Sequence, residues 1–247
     1  MSFWIRRRGL LRIVFGPLLL WQGRRVRRDV LRLPEADGPR DGSVGQGSPL
    51  AVLIVGDSSA AGVGADHQDR ALSGQLAARL AERRAITWRL IAQTGWTTAE
   101  ALAALPEPDG SRFDLAVISL GVNDVTTEVR IPDQRRDYGR LIDRLKRDYG
   151  VSTVIASGLP PIGQFPALPQ PLRWYLGLQG QAFDQALSAF AETRDDLHHF
   201  PLILDLGVDA MAEDGFHPGP EVYAAWADLL AAFIEPLDLP AATGEPA

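Results

Sequence analysis

Ala51-Val52-Leu53-Ile54-Val55-Gly56-Asp57-Ser58-Ser59 is the stretch on which the fold turns. Five apolar residues without polar alternation suit a strand buried on both faces, as in a parallel sheet covered by helices on either side. Gly56-Asp57 ends the run and delivers Ser58 to the strand's carboxyl end, where open α/β sheets hold their chemistry. Ala60-Ala61-Gly62-Val63-Gly64 follows, small residues that let backbone approach a substrate closely. Taken alone, Ser58 also fits a helix N-cap. A nucleotide-binding loop fits less well, because no Gly-Lys-Ser/Thr follows and Gly62-Val63-Gly64 lacks the third glycine of a dinucleotide fingerprint.

Working outward, apolar runs recur at 86–92, 115–120, 151–156 and 202–206. Between them lie stretches with helical spacing, clearest at about 71–83, 133–149, 180–193 and 219–234. In the first of these Leu72, Leu76, Ala77 and Leu80 form one stripe while Arg79, Glu82 and Arg83 face away. Such alternation predicts a parallel sheet with helices on both faces. The segment from Leu159 to Pro171 holds five prolines between Pro160 and Pro171. It is too proline-rich for regular structure and is predicted to overhang the site as a stiff loop.

A chain of 247 residues has room for one well-buried domain plus an appendage. The predicted organisation is a basic, apolar arm at 1–33, a linker at 34–48 rich in turn formers, a catalytic domain at 49–235 and a tail at 236–247. Cysteine is absent, which removes disulfides, thiolate metal sites and cysteine nucleophiles together. The net charge of −6 is uneven: residues 1–33 carry nine arginines against Asp29 alone, +8, leaving −14 for the rest. An acidic body argues against a nucleic-acid partner. The arm's apolar stretch is interrupted by Arg12 and Gly16-Pro17 and falls short of the ~20 apolar residues that span a bilayer. As a helix it would place Leu10, Leu11, Val14, Phe15 and Leu18 on one face, which suits an anionic membrane surface. The alternative is an arm packed on its own domain. A cytoplasmic location, peripheral at the membrane, is expected; an atypical export signal is the competing reading of the same arginine-led run.

Three further blocks supply parts for acyl transfer. Asp214-Gly215-Phe216-His217-Pro218 holds an acid and a base three residues apart, just before a helix that Pro220 helps to start. A serine hydroxyl needs a histidine to remove its proton, and the histidine needs a carboxylate to hold its tautomer. Ser58, His217 and Asp214 fill those roles. Asn123, after the run Leu115 to Leu120 and Gly121, places an amide at the same sheet edge as Ser58. Gly95, in Gly95-Trp96-Thr97-Thr98, follows the run at 86–92 in the same manner, so its backbone N–H is a second candidate oxyanion donor. Both also fit as turn formers. His67 and His198-His199 sit in polar surroundings and read as surface residues. No cluster of ligands suggests a metal, and no cofactor is expected.

Together these blocks resemble the SGNH hydrolases, also called GDSL esterases and lipases. The resemblance covers about Pro49 to Ile234. Gly56-Asp57-Ser58 resembles the nucleophile block, Gly121-Val122-Asn123-Asp124 the Gly-x-Asn-Asp block, and Asp214 to His217 the Asp-x-x-His block; Gly95 matches the oxyanion glycine more weakly. The resemblance implies a flavodoxin-like three-layer α/β/α sandwich on a five-stranded parallel sheet. It also implies Ser58 as nucleophile, His217 as base and then acid, Asp214 as its partner, and an oxyanion hole from the Ser58 and Gly95 N–H groups and the Asn123 side chain. Asp57 and Asp124 would hold the loops. An α/β-hydrolase shares the order Ser, Asp, His, yet here the nucleophile follows the first strand and acid and base share one loop.

The activity expected is hydrolysis of small-molecule carboxylic esters, with short acyl chains favoured by the overhang near Phe165 and Trp174. Deacetylation of a saccharide, or deacylation of a lysophospholipid or thioester, uses the same chemistry. A membrane-surface binding protein without turnover is the alternative from another class.

Overall fold

The computed structural model describes residues 2–203, 210–237 and 239, with residues 2–14 described by their backbone alone. Six strands form one sheet: β1 (Asp41–Val44), β2 (Ser48–Gly56), β3 (Arg84–Ala92), β4 (Leu115–Ser119), β5 (Thr153–Ser157) and β6 (Leu197–Phe200). Their spatial order is β1-β3-β2-β4-β5-β6. All neighbours are parallel except β1, which pairs antiparallel with β3. The five parallel strands have the flavodoxin-like order, in which the chain leaves the first strand to one side and then continues on the other. The crevice at that reversal lies beside the carboxyl end of β2.

The apolar runs are continuous because the strands are covered twice. Leu53, Val55, Ala116 and Ile118 join a core with α3 (Thr98–Ala104), α5 (Ile131–Tyr149) and α6 (Leu172–Ala191). Their neighbours Val52, Ile54, Leu115 and Val117 join the opposite core with α2 (Leu72–Leu80) and α7 (Pro220–Ile234). Successive side chains of a strand point to opposite faces, so each strand stitches the two cores together. A short helix, α4 (Val122–Thr126), follows β4 directly.

Four expectations are corrected. Residues 41–44 of the expected linker are strand β1, and Ala36 is buried among α2 and the sheet. A solvent-facing antiparallel edge strand needs no apolar alternation, so its Asp, Gly and Ser read as turn formers. The last strand lies at Leu197–Phe200 instead of 202–206: Leu202 and Ile203 are not strand, and 204–206 lie outside the described residues. Two histidines within that edge strand hid it from apolar pattern reading. The third long helix begins at Leu172, eight residues earlier than expected, because the proline run ends at its N-terminus. Helix α3 was not foreseen, although Thr97 and Glu100 form a capping box at its start.

The arm is helix α1 (Ser2–Asp29), which continues through Pro17. Leu19 and Val26 pack on the α5–α6 side, and Arg27 donates to the Thr126 carbonyl at 2.9 Å. Thus its described side chains follow the packed-arm alternative on one face, while Phe15 and Leu18 are exposed. Among the described residues no helix is long and apolar enough to cross a membrane.

Tyr138 of α5 is fully buried, yet its hydroxyl has no hydrogen-bond partner among the described residues. A buried polar atom left unsatisfied costs ~1–3 kcal/mol. Tyr138→Phe should therefore raise the urea unfolding midpoint, by about 1 kcal/mol of stability; a clear drop would show that the hydroxyl is paired after all.

Candidate active site

The site is assembled at the carboxyl ends of β2, β3 and β4. β2 ends at Gly56, where a Cβ would sit 2.4 Å from the Ala60 Cβ and 2.6 Å from the Ser119 carbonyl oxygen. Only glycine lets the chain turn so tightly over β4, and Asp57 N–H closes the turn on that same carbonyl at 3.1 Å. Ser58 follows, nearly buried. Gly64, with φ +98°, places the Ser58 loop against the Pro218 carbonyl, which a Cβ would meet at 2.2 Å. The Ser58 loop thereby rests on the loop that carries His217.

His217 Nε2 lies 2.9 Å from Ser58 Oγ, and His217 Nδ1 lies 2.5 Å from Asp214 Oδ2. The other oxygen of Asp214 accepts from the backbone N–H groups of Phe216 and His217, both at 2.9 Å. Burial alone would favour a neutral Asp214, but hydrogen bonds from the His217 ring and these two N–H groups hold it below the usual carboxylate range. An ionised Asp214 accepts a hydrogen bond from Nδ1–H, which leaves the Nε2 lone pair facing Ser58. That arrangement can withdraw a proton from the hydroxyl.

A second set of bonds ties the neighbouring loops. Asp57 accepts from Ser59 N–H at 3.0 Å and Ser59 Oγ at 2.9 Å through one oxygen, and from Asn123 Nδ2 at 3.2 Å through the other. Asn123 Nδ2 also donates to the Trp96 carbonyl at 3.0 Å. Ser59 Oγ lies 3.0 Å from Ser119 Oγ. Asp124 accepts from the N–H and hydroxyl of Thr98, each at 3.0 Å. Burial raises Asp57 above its ordinary range despite the Ser59 bonds. Burial likewise pushes Asp124 up to about 6, against its bonds from Thr98.

Ser58, Asp214 and His217 are therefore in direct contact, and Asn123 joins them through Asp57. Gly95 is further removed: it sits in the exposed turn after β3, next to Trp96, and is not among the residues lining the adjoining pocket. His199 is not the surface residue expected, its side chain being only 11% exposed with Nε2 2.9 Å from Asp184 Oδ1. Among the described residues no group of His, Asp and Glu could hold a metal ion. A mostly apolar pocket of about 120 Å³ opens beside Ser58 and His217, walled by Leu159, Pro160, Phe165, Met211, Phe216 and Val222. Ser119, Ser157 and Trp226 also line it. No motif in the sequence marks these three, which reach the site only by tertiary placement.

The sequence model of the GDSL-like lipase/acylhydrolase family matches residues 54–225. A GDSL-like esterase of Mycobacterium tuberculosis is 29% identical over 210 residues, 76% of this chain and 64% of that protein, so the chain spans less than two thirds of this relative's length. Among solved structures, a psychrotrophic esterase from Pseudoalteromonas, inhibited by monoethylphosphonate, superposes with TM-score 0.55 at 20% identity, covering 75% of this chain and 96% of its own. A family two carbohydrate esterase of Myceliophthora fergusii gives TM-score 0.59 at 16% identity, covering 82% of this chain and 68% of its own. At these identities both solved structures are similar in fold.

Asp124 generates a pH dependence. Its folded pKa of about 6 lies above the ordinary 3.8, so its contribution is fully present below the lower value and is lost as pH rises through the upper one. The loss is on the order of 3 kcal/mol. Stability should fall between pH 4 and 7 more steeply in the wild type than in Asp124→Asn, read by urea denaturation; parallel curves would contradict the burial cost assigned to Asp124.

Proposed function

The chain belongs to the GDSL-like lipase/acylhydrolase family, and from this premise we propose that it hydrolyses carboxylic esters through an acyl-enzyme formed on Ser58. The contact that carries this reading is the relay from Asp214 through His217 to Ser58, at 2.5 and 2.9 Å. His217 Nε2 takes the Ser58 proton as Oγ bonds to the carbonyl carbon, and the carbonyl π pair moves onto its oxygen. Asp214 stabilises the imidazolium. Collapse of the tetrahedral intermediate expels the alcohol, which receives the proton from His217. Water then repeats the sequence on the acyl-enzyme and frees the acid.

The developing oxyanion would be met by the N–H groups of Ser58 and Gly95 and by the Asn123 amide, each donor worth ~10²–10³ in rate. Both Asn123 amide hydrogens are engaged in the free protein, and the longer bond, at 3.2 Å to Asp57, is the one the oxyanion would replace. The mostly apolar lining of the pocket supports an alkyl chain on the acyl side, and its small volume supports a short one. Ser58→Ala should lower turnover of p-nitrophenyl acetate by ~10⁴ or more. Unchanged activity would sink the assignment.

A contact with a membrane surface is supported by the outward face of α1. Leu18, Leu20 and Trp21 are exposed there beside Arg24, Arg25 and Arg28, with the Arg25 guanidinium 5.5 Å from the Trp21 ring. Apolar side chains interleaved with arginine suit the boundary between headgroups and acyl chains. The full-length protein should co-sediment with vesicles containing phosphatidylglycerol. Replacing Trp21 with Ala and Arg24 and Arg25 with Glu together should weaken this about tenfold or more. Equal binding to pure phosphatidylcholine would count against an electrostatic contact.

A further inference from the structure

The proline-rich segment that walls the pocket is held at both ends by buried or half-buried polar side chains from outside it. At its start, Asp184 of α6 accepts from the Leu159 N–H at 2.9 Å, with the same oxygen 2.9 Å from His199 Nε2. At its end, Gln22 of α1 donates through Nε2 to the Gln170 carbonyl at 2.7 Å and accepts through Oε1 from the Leu172 N–H at 3.1 Å. A side-chain amide that pairs with both groups of a backbone stretch acts as one rung of a strand ladder. Gln22 is only 6% exposed, and nearby Leu19 packs in the apolar cluster that contains Phe165, Leu168 and Leu172.

Between these clamps the wall faces the chemistry. Leu159, Pro160, Pro161, Phe165 and Pro166 line the pocket. Phe165 meets Phe216 edge to face at 5.1 Å, and Ala167 N–H donates to the Gly215 carbonyl at 3.1 Å, both within the loop of Asp214 and His217. Helix α1, by contrast, lies wholly outside the family's matched span of 54–225.

We propose that α1 is a working part of the acyl pocket: Gln22 is a positioning residue that, opposite Asp184, holds the proline-rich wall inward and so restricts the length of acyl chain admitted. This rests on the reading of Ser58 as the acylated nucleophile. Prolines make the wall stiff between its ends, so its position depends on the two clamps as well as on the contacts of Phe165 and Ala167 with the loop of His217. Releasing either clamp lets the wall move outward as a unit and enlarges the pocket.

The test compares kcat/KM for p-nitrophenyl acetate and octanoate in the wild type, Gln22→Met, Asp184→Ala and Asp184→Asn, with Ser58 labelling by a fluorophosphonate probe and thermal unfolding measured in parallel. Methionine keeps the volume of Gln22 without its hydrogen bonds. The octanoate to acetate ratio should rise fivefold or more in Gln22→Met, mainly through a lower KM for octanoate. Asp184→Ala should do the same, whereas Asp184→Asn, which keeps an acceptor for Leu159 N–H, should stay near the wild type. A ratio within twofold of the wild type, a uniform loss on both esters, or a shift toward acetate would overturn the brace while retained labelling left the esterase reading intact. Failure of the wild type to label at Ser58 would instead overturn that underlying reading. Should Gln22→Met fail to fold, the Asp184 pair decides by the same ratio.

Discussion

The position of β2 is the constraint on which the rest of the molecule depends. From Val52 to Gly56 it has a parallel strand on each edge and a helical layer on each face, and every one of these residues is buried. Such a strand has no freedom to shift its register, because a slip of one residue would exchange the two cores. Ser58, two residues past its end, inherits that rigidity. A central strand thus fixes the position of Ser58 beside His217.

Around this fixed point the other groups are brought in by polar bonds between loops. Asp57 links the Ser58 loop to Asn123, Asn123 links onward to the Trp96 carbonyl, and Asp124 links α4 to the start of α3. Two buried carboxyl groups in such positions cost stability, since burial raises both above their ordinary ranges. They are retained where loops from three strands must meet, which is where a purely apolar contact would leave backbone N–H groups unpaired. Asp214 differs in kind: its hydrogen bonds outweigh its burial and keep it charged beside His217.

The pocket wall has the opposite construction. It carries little regular structure beyond the 3₁₀ turn Ile162–Gln164 and owes its shape to proline stiffness, to polar contacts at its ends, and to the packing of Phe165 and Ala167 on the loop of His217. One of those ends is held by α1, whose other face presents Trp21 and arginines to the surroundings. Anything that draws the outer face of α1 toward a surface thus acts on an element that also touches the wall.

The apolar runs, their helical partners and the spacing of Asp214 to His217 were legible in the residues alone, because parallel strands buried twice and a hydrogen-bonded acid and base leave local signatures. The order of the blocks also selected the sheet's topology. The edge strands β1 and β6 were not legible, since a strand with one free edge and little burial carries no apolar signature and histidine or glycine passes in it unnoticed. Nor were the contacts of Gln22 with Gln170 and Leu172, or of Asp184 with Leu159 and His199, for these join residues far apart in the chain through single polar atoms. Sequence by itself determined the motifs that mark the family and which strand presents Ser58, because those depend on local pattern. Only the tertiary structure decided the pocket's walls and what holds them, because a long-range hydrogen bond leaves no periodic trace in the sequence that makes it.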